Sequence, residues 1–195
     1  IESWLVWKLT GGVHVTDASN ASRTALMALD GGWDDELIAL FGVPRAALPE
    51  IVDCAREVGR TTFFGDSIPI TGMAGDQQAA TAGQSCLTPG DTKATFGTGA
   101  FVLTQAGTTP PRSDNRLLAT VAWQIGGERH YALEGSVFVA GSLIKWLRDS
   151  LGLIADARET DALARSVADN AGVYLVPALS GLGAPWWEPD ARAAI

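Results

Sequence analysis

The feature that most constrains the fold is a strand–turn–helix pattern followed by two glycine hairpins. The compact apolar run at 68–74 is followed at once by small, helix-compatible residues at 75–84. Short β-type segments then flank Gly97-Thr98-Gly99 and Gly126-Gly127, at 91–96, 100–105, 117–124 and 129–134. Such spacing is typical of hairpins, and Gly97 and Gly99 are free to take positive φ. The mixture predicts an α/β fold, in which small ligands collect at the carboxyl ends of strands.

Helical periodicity and residue type predict the remaining elements. The pattern predicts helices at 2–9, 34–41, 136–151 and 159–168, a β-type segment at 173–176 and a polar connecting loop at 13–22. In the second helix, Leu40 and Phe41 are expected to face inward. The third helix would contain Gly141 in its interior, where glycine costs about 1 kcal/mol relative to alanine. That cost indicates either close helix packing or the close approach of a ligand.

Charge and composition exclude several classes of function. The chain has 14 Lys and Arg against 22 Asp and Glu, a net charge of −8, so its overall field does not attract nucleic acid or an anionic membrane. A hydrophobic content of 47% argues against intrinsic disorder, and the apolar runs fall short of a membrane span. Cys54 and Cys86 are too few for a disulfide framework and favour reduced thiols in the cytoplasm. His14 and His130 lack neighbouring ligands, so we expect no protein-held metal.

Asp76 stands between Gly75 and Gln77, just past the predicted strand and at the start of the predicted helix. The helix dipole favours an ionised carboxylate there. Such a carboxylate can bind a substrate hydroxyl and accept its proton as the oxygen attacks phosphorus. Gln77 can bind a second hydroxyl. The alternatives are an ordinary helix-capping aspartate and a solvated glutamine, and the two residues alone do not decide between these interpretations.

The motif Gly97-Thr98-Gly99, here named the GTG turn, is a second candidate site. Its backbone N–H groups and the Thr98 hydroxyl can approach phosphate oxygens, and Lys93 on the same predicted hairpin can supply a counter-charge. Hairpin turns use glycine constantly, so a purely structural turn is the alternative.

Seven segments form an ordered set that covers nearly the whole chain. They are Ser3-Trp-Leu-Val-Trp-Lys-Leu-Thr-Gly-Gly, Val15-Thr-Asp-Ala-Ser-Asn-Ala-Ser-Arg-Thr, Ile70-Thr-Gly-Met-Ala-Gly-Asp-Gln-Gln-Ala-Ala, Phe96-Gly-Thr-Gly, Tyr131-Ala-Leu-Glu-Gly-Ser-Val-Phe, Trp146-Leu-Arg-Asp and Gly181-Leu-Gly-Ala-Pro-Trp-Trp. In content and order they resemble the FGGY family of carbohydrate kinases, which has the actin-like, ribonuclease-H-like ATPase fold. The resemblance implies ATP-dependent phosphorylation of a small polyol, with glycerol the first candidate and Mg²⁺ bridging the phosphate oxygens.

The resemblance also assigns roles to residues. By it, Asp76 is the general base and Gln77 binds a substrate hydroxyl, while Thr98 and Gly141 lie along the path of the nucleotide. Two positions depart from the family pattern. Ala18 replaces a usual tyrosine of the polyol site, which suggests a roomier pocket and a longer substrate. Lys145 replaces a frequent glutamine and either meets a phosphate or points to solvent.

The resemblance further implies how the chain is divided. Residues 1–84 correspond to the end of the N-terminal lobe on the polyol side, and 85–195 to the start of the C-terminal lobe on the nucleotide side. Much of each binding surface would then lie outside these residues, so we expect the 195-residue chain alone to lack kinase activity. The family also implies a cytoplasmic homodimer or homotetramer.

Two alternatives to a glycerol-phosphorylating enzyme stay open at this point. One is another FGGY kinase that acts on xylulose or erythritol, which the alanine at position 18 favours. The other is a non-catalytic relative that binds nucleotide without transferring phosphate. The Asp76 and Gln77 pair argues against the second alternative, because a protein that only binds has no need of a general base.

Overall fold

A computed structural model describes residues 1–195. The six α-helices are α1 (Glu2–Thr10), α2 (Ala18–Ala21), α3 (Asp35–Phe41), α4 (Asp76–Gly83), α5 (Gly141–Asp149) and α6 (Glu159–Arg165). The eight strands are β1 (Val15–Asp17), β2 (Glu50–Val52), β3 (Gly59–Thr61), β4 (Ile68–Ile70), β5 (Thr92–Phe96), β6 (Ala100–Gly107), β7 (Leu118–Ile125) and β8 (Glu128–Val137). This mixture agrees with the predicted α/β class. All six helices fall short of the length and apolar character needed to cross a membrane.

The strands form three sheets, and the chain divides into two compact units. β1 pairs with β2 in parallel, β3 pairs with β4 antiparallel, and a four-stranded sheet has the order β5-β6-β8-β7. The first unit comprises Ile1–Lys93, Leu103–Ser113 and Leu118–Glu134. The second unit comprises Ala94–Val102, Asp114–Leu117 and Gly135–Ile195.

The first unit has two apolar clusters around its short elements. One cluster joins α2 to β7 and β8 and contains Ala18, Ala21, Met27, Val121 and Tyr131. The other joins α1 to β1 and β2 through Val6, Val15 and Val52. Burying a valine-sized side chain contributes about 1.5–3 kcal/mol. These clusters therefore fix the positions of β1 and α2, which would be too short to be stable alone.

The elements with strong local signals were predicted correctly. α1 ends at Gly11, which has a φ of 74°. α3 begins after Asp34, whose side chain accepts hydrogen bonds from the backbone N–H of Glu36 and Leu37. The β7–β8 hairpin turns at Gly126 and Gly127, both with positive φ.

The prediction of a loop at 13–22 is wrong, because this polar stretch forms β1 and α2. Three of its polar side chains, Thr16, Asp17 and Ser19, are buried and hydrogen-bonded within the protein rather than hydrated. Asp17 is fully buried and caps α2 by accepting hydrogen bonds from the backbone N–H groups of Ser19 and Asn20. The polar composition therefore wrongly indicated a loop, because the hydrogen-bond partners of these side chains are inside the protein.

Three other expectations also differ from the structure. The helix predicted at 136–151 is shorter, because β8 continues to Val137 and α5 begins only at Gly141. Leu40 and Phe41 are exposed rather than inward-facing. The segment at 173–176 forms no strand and makes only an isolated bridge between Val176 and Ala194.

Candidate functional site

Asp76 is an exposed carboxylate at the first position of α4, as predicted. Both of its oxygens are oriented by the next residue. The backbone N–H of Gln77 donates to Oδ1 at 2.8 Å, and the side-chain Nε2 of Gln77 donates to Oδ2 at 3.3 Å. The carboxylate is thus held by hydrogen bonds while remaining open to solvent. This arrangement lets Asp76 accept a proton from an incoming hydroxyl.

The residue before Asp76 is fixed by a buried network that the sequence did not reveal. The backbone N–H of Gly75 donates to Ser19 Oγ at 2.9 Å. The Ser19 hydroxyl in turn donates to the buried carboxylate of Asp17. A Cβ at position 75 would lie 2.4 Å from Oε1 of Gln78, so any larger residue there would have to displace the end of that buried side chain. The start of α4 is therefore anchored to β1 and α2.

Lys93 lies on β5, and its side chain is buried, with 1% of the residue exposed. Its Nζ donates a short hydrogen bond to Oε1 of Gln77. Burial lowers the pKa of the Lys93 ammonium, and attraction to Glu134 and Asp76 opposes that shift. The Lys93 ammonium thus lies at the start of α4, and its possible role as a counter-charge at the GTG turn stays a prediction.

Ala18 is fully buried at the first position of α2. It packs in the apolar cluster with Met27, Val121 and Tyr131. The Ala18 side chain itself has no exposed surface in this structure. That position 18 belongs to the substrate site and enlarges its pocket stays a prediction.

The GTG turn and the start of α5 pack tightly in the second unit. The Gly97 carbonyl accepts from the Gly141 N–H at 2.9 Å, and the Thr98 carbonyl accepts from the N–H groups of Ala140 and Ser142 at 2.9 and 3.1 Å. A Cβ on Gly141 would lie 2.5 Å from the Gly97 oxygen. Gly141 is therefore needed because two backbone segments meet there, and it begins α5 rather than lying inside it.

Glycine is needed at position 99 of the GTG turn because a side chain would not fit there, not because the backbone takes an unusual φ angle. Gly97 and Gly99 were free to take positive φ, but neither does so. A Cβ on Gly99 would lie 2.5 Å from the carbonyl oxygen of Val137, which belongs to β8. Thr98 itself is exposed at the tip of the turn. The turn can therefore present its hydroxyl outward.

Lys145 is exposed on α5. The pKa of the nearby Asp149 carboxyl is lowered first by a hydrogen bond from Arg148, and the charge of Lys145 adds to that effect. Of the predicted site residues, Asp76 and Gln77 come together in the first unit. Thr98, Gly141 and Lys145 all belong to the second unit, where Thr98 and Gly141 adjoin.

Comparison with known proteins gives the class and then the family. The N-terminal and C-terminal domain models of the FGGY family of carbohydrate kinases match residues 1–83 and 92–195. Over its full length, the chain is 56% identical to a glycerol kinase of Methylobacterium nodulans and 57% identical to one of Alkalilimnicola ehrlichii, covering 40% of each. A crystal structure of Plasmodium falciparum glycerol kinase with ADP matches 99% of the chain with a TM-score of 0.88 and 38% identity, and 40% of that structure is covered.

These matches define an α/β protein of the actin-like ATPase class. The chain spans about two fifths of the length of the curated relatives it matches. Because the two family models together account for most of its residues, the chain belongs to the FGGY family of carbohydrate kinases.

Proposed function

We propose that the protein containing this chain transfers the γ-phosphoryl group of ATP to glycerol and forms glycerol 3-phosphate. The observation that carries the proposal is the Asp76 carboxylate, exposed at the start of α4 and oriented by both nitrogens of Gln77. The identity of 56% to a glycerol kinase supports glycerol as the substrate.

In the proposed reaction, Asp76 is the general base. Its carboxylate accepts the proton of one glycerol hydroxyl while that oxygen forms a bond to the γ-phosphorus. The bond between the γ-phosphorus and the bridging oxygen breaks, and ADP leaves with that electron pair. The amide of Gln77 binds a second hydroxyl and holds the first one in line.

On the nucleotide side, we assign Thr98 and Gly141 to the path of the phosphates and sugar. The exposed hydroxyl of Thr98 is the donor, and the absent side chain of Gly141 leaves room for the turn beside it. Lys145 is exposed. Its ammonium can therefore either contact a phosphate of the nucleotide or point into solvent, and substitution of Lys145 would distinguish the two. Residues 1–195 contain no group of three side chains that could hold a metal. Mg²⁺ bound with ATP would neutralise the charge that develops on the phosphates.

The domain and cellular assignments are also proposals. We place the lobe boundary near residue 85, with the polyol side in 1–84 and the nucleotide side in 85–195. The gap between the two matched family models, at 83 and 92, supports this division. The free thiols of Cys54 and Cys86 support a cytoplasmic location. A homodimer or homotetramer is the assembly that we would test first.

A hybrid enzyme tests the proposed function. In it, this chain replaces the matching two fifths of the Methylobacterium nodulans glycerol kinase. We expect the hybrid to phosphorylate glycerol with a kcat/KM at least about 10-fold above its values for erythritol and xylulose. Coupled ADP release measures the rates, and the 195-residue chain alone is the inactive control. A folded hybrid that prefers xylulose, or binds ATP without turnover, would contradict the proposal.

Gly141→Ala tests the nucleotide assignment. The added methyl would approach the Gly97 oxygen within 2.5 Å and displace the GTG turn. We expect KM for ATP to rise about 10-fold, while KM for glycerol changes less than about twofold. Gly32→Ala is the matched control, because its Cβ would meet nothing within 4 Å. Equal changes in both KM values would show that Gly141 does not act on the nucleotide.

A further inference from the structure

Lys93 is the largest of the fully buried side chains, and it carries a positive charge. Burying an ammonium is costly unless hydrogen bonds and opposite charges compensate. Its Nζ donates to Gln77, and the carboxylates of Glu134 and Asp76 attract it. A buried cation is therefore expected to have a specific role. The hydrogen-bond partner of Lys93 is Gln77, which is next to the proposed general base Asp76.

The bond from Lys93 determines which way the Gln77 amide points. An ammonium can only donate hydrogen bonds, so the atom of Gln77 that faces it must be the carbonyl oxygen Oε1. The amide Nε2 is then directed at Oδ2 of Asp76, at 3.3 Å. Without Lys93 the amide can rotate by half a turn, which would set Oε1 against the carboxylate and repel it. The carboxylate would then lose one of its two contacts from Gln77.

Glu134 is attracted to Lys93 and also forms an ion pair with Arg23. Glu134 lies on β8 with its side chain fully buried, and Arg23 donates from Nη2 to its Oε1 at 2.8 Å. Removing the Lys93 ammonium therefore leaves the ion pair with Arg23 but takes away the attraction between Lys93 and Glu134. That loss does not pass through Gln77, so the part of the effect that disappears in a Gln77→Ala background is the part that reports on Gln77 and Asp76.

We propose that Lys93 is a positioning residue, which acts through Gln77 to hold the Asp76 carboxylate in the orientation that accepts the hydroxyl proton. The inference rests on the proposed glycerol phosphorylation. It assigns to Lys93 no contact with substrate or nucleotide. It also gives the Gln77 amide two roles. Its Nε2 orients Asp76, and the same amide would bind the second polyol hydroxyl in the proposed reaction.

A double-mutant cycle in the hybrid enzyme tests this role. We expect Lys93→Met to lower kcat about 10- to 100-fold and to raise KM for glycerol, with KM for ATP unchanged within about twofold. In a Gln77→Ala background the same substitution should cost less than about threefold, because the group through which it acts is gone. Lys8→Met removes an exposed lysine of α1 and is the matched control for the lost charge.

The outcomes separate this inference from the proposed function. An unmodified hybrid without glycerol turnover would contradict the function itself. With an active hybrid, an unchanged kcat in Lys93→Met, or losses that add across the cycle, would overturn the role of Lys93. Should Lys93→Met give no folded protein, the cycle is run with Lys93→Gln, which is shorter and uncharged. We expect Lys93→Gln to lower kcat at least about fivefold, and this loss should again not add to that of Gln77→Ala. An unchanged kcat, or losses that add, would overturn the role of Lys93 here too.

Discussion

Replacing Asp76 by asparagine is expected to lower kcat for glycerol about 10²- to 10⁴-fold, the range typical of a lost general base. The amide keeps the size of the side chain, and its one oxygen can still accept from the backbone N–H of Gln77. Its nitrogen cannot accept from Nε2 of Gln77, and the amide cannot take up the hydroxyl proton. Binding of ATP should stay nearly intact, because Asp76 is assigned to the polyol side. Steady-state kinetics of the hybrid and a direct measurement of nucleotide affinity check the two parts.

Asp35→Asn is the matched control for this substitution. Asp35 is the exposed first residue of α3, as Asp76 is the exposed first residue of α4. The two variants therefore lose the same charge at the same helical position, with the same effect on the helix dipole. We expect kcat of Asp35→Asn to stay within about twofold of the unmodified hybrid. A similar result for Asp76→Asn would mean that no carboxylate at α4 takes the proton.

The position of Asp76 could be predicted because its signals are local. An apolar run, a glycine and then an acidic residue before small helix formers mark the start of a helix within ten residues of sequence. The β7–β8 hairpin followed in the same way from Gly126-Gly127. Each of these elements is specified by neighbours in the chain, which a single sequence displays directly.

The rest of the site depends on contacts between distant residues. Gly75 and Ser19 are 56 positions apart, and Arg23 and Glu134 are 111 apart. Lys93 was considered only as a counter-charge on the GTG hairpin, because nothing near it in sequence shows that it is buried against Gln77. The GTG turn could be predicted, but the use that the fold makes of its glycines could not. Its Gly99 makes room for the backbone at Val137, which only the folded sheet brings near.

The second large effect concerns stability rather than chemistry. Asp17→Ala is expected to destabilise the fold by about 3–5 kcal/mol, since bonds to a buried charged group are among the strongest in proteins. Five donors lose their acceptor together: the N–H and hydroxyl of Ser19, the N–H and Nδ2 of Asn20, and the thiol of Cys54. The Cys54 thiol is itself buried, which raises its pKa and keeps it a neutral donor. The shift in the thermal unfolding midpoint of the hybrid measures the loss.

Asp34→Ala separates burial from helix capping in this prediction. Asp34 caps α3 as Asp17 caps α2, but Asp34 accepts only from two backbone N–H groups near the surface. A cap of this kind is worth about 0.5–2 kcal/mol. Comparable losses in the two variants would show that Asp17 is merely a cap. We expect Asp17→Ala to lose more stability than Asp34→Ala, and the Asp17→Ala enzyme that still folds to have a lower kcat. The reason is that the Ser19 hydroxyl connects Asp17 to Gly75, and so to the start of α4.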